Sequence, residues 1–243
     1  MRLAIISGGS RGLGAELCAQ FSQQGFRVVE FSRSGTSTDL LTSVKVDLSS
    51  PEASRAVIRR TLTTLAGEAW QEIVAINNAG TLEPIGPAAR KAPADVQANI
   101  NINFSAPIIL LSELIAAFQA HPCRKLVANI SSGAARHAYA GWSLYCAGKA
   151  GIESFVRAVA LEQSSEAFPV LAININPGVM DTGMQASIRR ASSADFPDVE
   201  RFIKHQESGA LRAPADVAAA VLRIVSAAQI TAGELYSVGD YGC

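Results

Sequence analysis

The feature that most limits what this chain can become lies in its first two dozen residues. Leu3-Ala-Ile-Ile-Ser7 is a short apolar run that reads as a buried strand, and Gly8-Gly-Ser10-Arg11-Gly12-Leu13-Gly14 follows it with no spacer. Leu13, Leu17 and Phe21 then recur at helical spacing. Strand, glycine turn and helix in immediate succession commit the chain to packing a helix back onto its own sheet. The same arrangement suits an anion: glycines let the backbone approach a phosphate, and the helix N-terminus offers free N–H groups and positive dipole. The spacing is G-x-x-x-G-x-G rather than the commoner G-x-G-x-x-G, so the cluster alone is equally well a tight turn. Its place directly after a strand favours a dinucleotide phosphate loop.

The pattern repeats along the chain. Apolar runs at Arg27–Arg33, Val44–Leu48, Ile73–Asn77, Leu126–Ile130, Val170–Asn176 and Glu234–Val238 predict further strands. Helical spacing or composition fills the gaps at Pro51–Leu65, Ala94–Asn103, Pro107–Ala120, the stretch after Tyr145, and Pro214–Ala227. The second of the middle pair is apolar all round, which predicts burial against the sheet or at a subunit interface. With no repeat, linker or composition break, the alternation predicts one α/β domain over residues 1–243, a doubly wound parallel sheet of Rossmann type. Residues 8–14, 77–80, 132 and 177–178 all follow strands and should meet at the carboxyl edge, where such sheets bind ligands. The polar stretch from Met180 to Arg212, broken by Pro197 and Gly209, predicts a loop-like mobile lid over that edge, around 180–212.

Composition removes several function classes. Hydrophobic residues make up 49% and charged ones 17%, which suits a sheet buried on both faces. Lys plus Arg equals Asp plus Glu at 21 each, so no global field draws in nucleic acid or anionic lipid. The N-terminal apolar run is too short for a signal peptide, and no apolar run reaches the length of a membrane span. Cys18, Cys123, Cys146 and Cys243 have no C-x-x-C spacing, and His121, His137 and His205 are scattered. Free thiols in a reducing cytoplasm and no metal site are the expectation. Cys146 reads as a packing residue, since no His lies close to it in sequence.

Two stretches carry chemistry. Tyr145 and Lys149 are four apart on a helical pattern continued by Ile152, Phe155, Val156 and Val159, which puts phenol and ammonium on one face. Lowering a phenol from near 10 by about three units needs roughly 4 kcal/mol, and one ammonium about 4 Å away at an effective dielectric near 20 supplies about that. The pair is therefore expected to be a usable general acid. Ser132, just past the Leu126–Ile130 run, is placed to hold a carbonyl beside the phenol. At the other end, Ser32 and Arg33 close the second strand where an acid would hold the ribose of NAD. A hydroxyl and a guanidinium there, with Arg11 in the loop, suit the 2′-phosphate of NADP(H). Glu30, two residues earlier, is the alternative and would bind a ribose if the strand ended sooner. Asp47 is placed to meet the adenine.

Taken together, Ser7-Gly8-Gly-Ser-Arg-Gly12-Leu-Gly14, Asp47, Asn77-Asn-Ala-Gly80, Asn103, Ser132, Tyr145-Cys-Ala-Gly-Lys149 and Pro177-Gly-Val-Met-Asp-Thr182 resemble the short-chain dehydrogenase/reductase family over essentially the whole chain. The stretches around Ile130–Ala135, Gly141–Ala150 and Pro177–Gln185 are similar to the branch with sepiapterin reductases and bacterial benzil reductases, the latter more so. The resemblance implies that Tyr145 donates a proton to a substrate carbonyl while NADPH delivers hydride, with Lys149 on the nicotinamide ribose. Ser132 would hydrogen-bond the carbonyl, and Asn103 would hold a water linking Lys149 to solvent. Cofactor contacts would come from Gly8, Ser10, Arg11, Gly12, Leu13, Gly14, Ser32, Arg33, Asp47, Leu48, Asn78, Ala79, Gly80, Pro177, Gly178, Val179 and Thr182. Where sepiapterin reductases carry a pterin-anchoring Asp on the last strand this chain has Ser237, with Asp240 three residues on. Trp142, Met184 and Phe202 offer apolar surface for an aromatic or bulky dicarbonyl substrate. A homodimer or homotetramer is implied by the same likeness.

Overall fold

The computed structural model describes residues 1–243. Seven parallel strands form one sheet: β1 (Arg2–Ser7), β2 (Phe26–Ser32), β3 (Leu41–Lys45), β4 (Glu72–Asn77), β5 (Arg124–Ile130), β6 (Val170–Asn176) and β7 (Leu235–Ser237). Their order is β3-β2-β1-β4-β5-β6-β7, so the winding reverses between β1 and β4. Ligand crevices of such sheets open at that reversal, outside the carboxyl ends of the strands.

Strand alternation decides the two cores. On β1, Ala4 and Ile6 face one layer while Leu3 and Ile5 face the other. The first layer is α1 (Gly12–Gln23) with the last helix, which begins at Pro214 and ends at Val225. Leu13, Leu17 and Phe21 meet Val217, Val221 and Ile224 there. The second layer is α2 (Pro51–Ala66), α3 (Pro93–Ile100), α4 (Ala106–Phe118) and α5 (Ser143–Gln163). Burial on both faces explains why the strands read as continuous apolar runs.

Three expectations change. β3 runs over Leu41–Lys45, three residues earlier than the apolar pattern suggested, so Asp47 lies past its end. The two middle helices are not separate: α3 and α4 are joined through a widened π turn at Asn101–Ser105. Pro107 has no N–H to give the Asn103 carbonyl four residues back, and a π turn is how a helix absorbs such a loss. The fused helix, Pro93–Phe118, is thereby long and apolar enough to cross a membrane by length and composition alone, although 44% of its most apolar window is buried within the protein.

The segment after β6 is the third change. It holds α6 (Gly183–Arg190) and α7 (Val199–Glu207), with α8 (Pro214–Val225) following, rather than a long loop. Gln185 and Ile188 of α6 and Val199 and Phe202 of α7 are buried at helical spacing. Ile188, Val199 and Phe202 join Phe196, Trp142 and Leu82 in a third, small core above the carboxyl edge. The Ile188 and Val199–Ile203 spacings carried that signal in a stretch that is otherwise polar.

Candidate active site

The carboxyl edge is stitched by amides. Register pairs Ser7 with Asn77, Asn77 with Asn129, and Asn129 with Asn174 across four adjacent strands. Ser7 Oγ donates to Asn77 Oδ1 at 3.1 Å, Asn77 Nδ2 to Asn129 Oδ1 at 2.8 Å, and Asn129 Nδ2 to Asn174 Oδ1 at 2.9 Å. Asn174 Nδ2 ends the ladder on the Glu153 carbonyl of α5 at 3.3 Å. A buried chain of satisfied bonds of this kind is rigid, because breaking any member strands a polar group.

The glycine loop rests on the start of this ladder. Ser7 Oγ accepts the Asn78 and Ala79 N–H groups, both at 3.0 Å, and Asn78 Nδ2 donates to Ser7 O and Gly8 O at 3.1 Å each. Gly8, at φ +71°, packs so closely that a Cβ would lie 3.0 Å from the Ala79 Cα. A Cβ on Gly14 would lie 2.6 Å from Asn78 Nδ2 and overlap the Gly8 carbonyl. α1 then begins at Gly12 with no side-chain cap and no acid in its first turn, which leaves its N–H groups and dipole for an anion. Thr182 closes the other side, 3.7 Å from where a Gly12 Cβ would stand. The loop fits a pyrophosphate.

At the adenosine end the two readings of β2 are resolved differently from expectation. The strand continues to Ser32, so Glu30 lies inside it, 1% exposed, and turns inward rather than toward a ribose. Its Oε2 accepts Gly9 N–H at 3.1 Å and its Oε1 accepts the hydroxyls of Ser32, at 3.1 Å, and Ser43. Ser32 Oγ also receives Gly35 N–H at 3.0 Å, so this serine is spent on the turn and not on a phosphate. Arg11 and Arg33 are both exposed here, as is Asp47. Asp47 is held below its ordinary carboxylate value by the N–H and hydroxyl of Ser49, with Arg33 contributing. Ser10 is exposed, and Leu48 is half-buried against the second core.

The other end holds the phenol. Tyr145 and Lys149 share a buried face of α5, at 7% and 5% exposure, and Lys149 Nζ lies 5.7 Å from the phenol ring centre. The ammonium donates to the Ile130 carbonyl at 2.8 Å. Burial pulls its pKa down to about 8, with Glu153 opposing. Burial also pushes the Tyr145 phenol up to about 12, against the pull of the Ser132 hydroxyl and with Cys146 adding to the rise. The expected lowering of the phenol by Lys149 is therefore absent from this state of the protein. Desolvation outweighs an ammonium that points at a strand carbonyl instead of the phenolic oxygen.

Ser132 caps a short turn by accepting Ala134 N–H at 3.2 Å. Asn103 Nδ2 gives both hydrogens away, to Thr81 O at 2.7 Å and Asn99 Oδ1 at 2.9 Å, while its Oδ1 accepts Thr81 N–H at 2.9 Å. A Cβ on Gly80 would stand 3.3 Å from Asn103 Oδ1 and 3.7 Å from Lys149 Nζ. Asn103 and Lys149 thus border one small space that glycine keeps open. Pro177 is buried, Gly178 takes φ +69°, and the exposed Val179 has its carbonyl tied to Arg212 N–H at 3.0 Å.

Trp142 and Phe202, expected as substrate surface, are 5% and 6% exposed. Trp142 stacks on Phe196 with centroids 4.5 Å apart and planes 7° from parallel, lies 5.2 Å from Phe202, and stands edge-on to Tyr145 at 6.2 Å. Of the three candidates only Met184, at the rim of this cluster, is partly exposed. Phe196, fully buried, is the anchor that sequence reasoning missed; a lone aromatic in a polar stretch was its sole signal.

A family model for short chain dehydrogenases matches residues 2–193. The chain belongs to the short-chain dehydrogenase/reductase family. Among curated relatives, the benzil reductase ((S)-benzoin forming) of Bacillus subtilis is 37% identical over 99% of this chain and all of its own length. Sepiapterin reductase of Xenopus laevis is 30% identical over 83% of this chain and 81% of its own. A short-chain dehydrogenase/reductase of Saccharomyces cerevisiae superposes with a TM-score of 0.83 at 21% identity, each chain covered to 99%. Members of this family use nicotinamide cofactors, and this short-chain dehydrogenase/reductase is an oxidoreductase acting on carbonyl or hydroxyl groups.

Proposed function

We propose that this protein is an NADPH-dependent carbonyl reductase whose substrate is a ketone or 1,2-diketone of the benzil type. The observation that carries the reading is the meeting of Tyr145, Lys149, Ser132 and Asn103, from three separate elements, at the carboxyl edge beside the glycine loop. The full-length likeness to a benzil reductase supports the substrate class. Arg11 and Arg33, exposed at the adenosine end, favour a 2′-phosphate over a bare ribose.

Bound NADPH supplies the hydride. Gly8 to Gly14, the α1 N-terminus and Thr182 hold the pyrophosphate, and the gap at Gly80 leaves room beside Lys149. Ser132 donates a hydrogen bond to the substrate carbonyl, fixing it near the Tyr145 hydroxyl. Tyr145 gives its proton to the oxygen as it gains charge; the phenol, raised to about 12, is protonated at neutral pH but a weak acid, so its donation depends on the charge that develops on the carbonyl oxygen. Lys149 and the space bordered by Asn103 supply the route by which the phenol is reprotonated. The aromatic cluster of Trp142, Phe196 and Phe202 seats α6 and α7 over Tyr145 and excludes water.

The test is NADPH oxidation with benzil and sepiapterin assayed side by side. Turnover of benzil with little of sepiapterin is the expected result, Ser237 being unable to anchor a pterin as a carboxylate would. Efficient sepiapterin turnover would overturn the substrate assignment and point to Asp240, exposed just past β7. NADH serving as well as NADPH would overturn the cofactor assignment.

A further inference from the structure

Glu153 lies one turn beyond Lys149 on α5 and is 4% exposed. A carboxylate taken that far from water must be bonded or paired. Its Oε1 accepts the Ser131 hydroxyl at 2.5 Å, and its Oε2 lies 3.7 Å from Arg136 Nε and 3.8 Å from Arg157 Nη1. Both arginine side chains are more than half exposed, so water screens them. Its main-chain carbonyl receives the last rung of the amide ladder from Asn174. Along the helix toward the site, the next ionisable groups are Lys149 and, beyond it, Cys146 and Tyr145. These groups, with Arg136 and Arg157, are the charged and titratable neighbours it has.

We propose that Glu153 is a positioning residue for the carbonyl chemistry: it ties the strand end bearing Ser132 to the helix bearing Tyr145 and Lys149, and its charge keeps the proton on Lys149. The inference rests on the Tyr145–Lys149 reading given above. Ser131 and Ser132 are adjacent at the end of β5, and neighbouring side chains on extended backbone point to opposite sides. One serine is therefore clamped to α5 while the other faces the phenol. The clamp adds to the bond from Lys149 to the Ile130 carbonyl, and is the tie nearest to Ser132 in the chain. The electrostatic half has a definite sign. A buried negative charge raises the proton affinity of every nearby group, so removing it lowers the apparent pKa of the coupled Tyr145–Lys149 pair whichever member titrates first.

The experiment is the pH profile of kcat for benzil reduction at saturating NADPH, measured for the wild type, Glu153→Gln, Ser131→Ala and Tyr145→Phe. Reduction needs the pair protonated, so its rate falls along an alkaline limb. E153Q is expected to move that limb down by about one pH unit, a tenfold loss of proton affinity. S131A keeps the charge and is expected to lower kcat several-fold with the limb unmoved. A limb in E153Q that superimposes on the wild type, even with a lowered melting temperature, overturns the proposal and leaves Glu153 a structural residue. If E153Q does not fold, Glu153→Asp keeps the charge and must keep the limb; a limb that shifts in E153D overturns it equally. Wild-type turnover by Y145F would overturn the reading beneath, and with it this inference.

Discussion

The two ends of the cleft solve opposite problems with the same ingredient, a buried acid. At the adenosine end Glu30 is satisfied by neutral donors, Gly9 N–H and the hydroxyls of Ser32 and Ser43, and holds three chain segments together. No titrating group is hydrogen-bonded to it, although the buried Cys18 thiol nearby is pushed up to about 12 by burial and by the Glu30 charge; Arg11 and Arg33 face outward. At the carbonyl end Glu153 stands one turn from a buried lysine, which shares its helix face with a buried tyrosine, and burial has displaced the pKa values of those two in opposite directions. On the proposed function, one acid serves binding by shape and the other sits where protons move. The group displaced beside Glu30 is a thiol buried in the core, whereas those at the carbonyl end are a phenol and an ammonium, the kinds of group that acid–base chemistry uses.

That contrast is broken most sharply by Tyr145→Phe. Loss of the proton donor is expected to cut kcat about 10²–10⁴-fold with NADPH affinity, read by fluorescence titration, unchanged. An equal fall in affinity would mean that the phenol belongs to the binding half after all. Phe196→Ala removes the ring stacked on Trp142, and a large-to-small change at a fully buried Phe costs roughly 3 kcal/mol or more. The loss is expected as a lower melting temperature and a raised KM for benzil, with the KM for NADPH intact.

Lys149→Met tests the displaced pKa directly. The lysine's value is lowered from 10.5 to about 8 in the folded protein. Between those pH values the unfolded chain holds the proton and the folded one does not, so wild-type stability rises with pH across that window. Below pH 8 the full penalty remains, about 3 kcal/mol for a shift of this size. K149M is expected to be the more stable protein at pH 7, and urea titrations should show its advantage vanishing by about pH 10.5. A constant difference across pH would mean that the ammonium is not desolvated. The smallest effect belongs to the quiet end: Arg33→Ala should raise the KM for NADPH about tenfold, the worth of one exposed charge-assisted contact, and leave that for NADH alone. If both rise together, Arg33 supports the loop and does not read the 2′-phosphate.

Much of the molecule was legible in its residues because it rests on local rules. Apolar runs ending in Gly, Asn or Ser, alternating with helical spacings, are enough for a doubly wound sheet, and Tyr145 and Lys149 need only the helix repeat to share a face. The strand ends Asn77, Asn129 and Asn174 could be seen as polar breaks in apolar runs. Their union in one ladder needed the register of four strands.

What remained for tertiary structure was set by burial and by contacts distant in sequence. Glu30 could be read as a ribose ligand until Gly9, Ser32 and Ser43 enclosed it. Ser32 lost its proposed phosphate to the same enclosure. The phenol's pKa could be reckoned from the Tyr–Lys spacing alone, but spacing carries no desolvation, and desolvation reversed the sign. In residues 180–212 only the Ile188 and Val199–Ile203 spacings hint at α6 and α7, since half of their small core, Leu82, Ala134, Trp142 and Tyr145, comes from elsewhere in the chain. Residue order determined which elements form and which side chains share them, because hydrogen-bond geometry and periodicity act within a few residues. Charge, pKa and pocket shape were decided only when the elements packed, because desolvation and pairing depend on neighbours that the chain brings from far away.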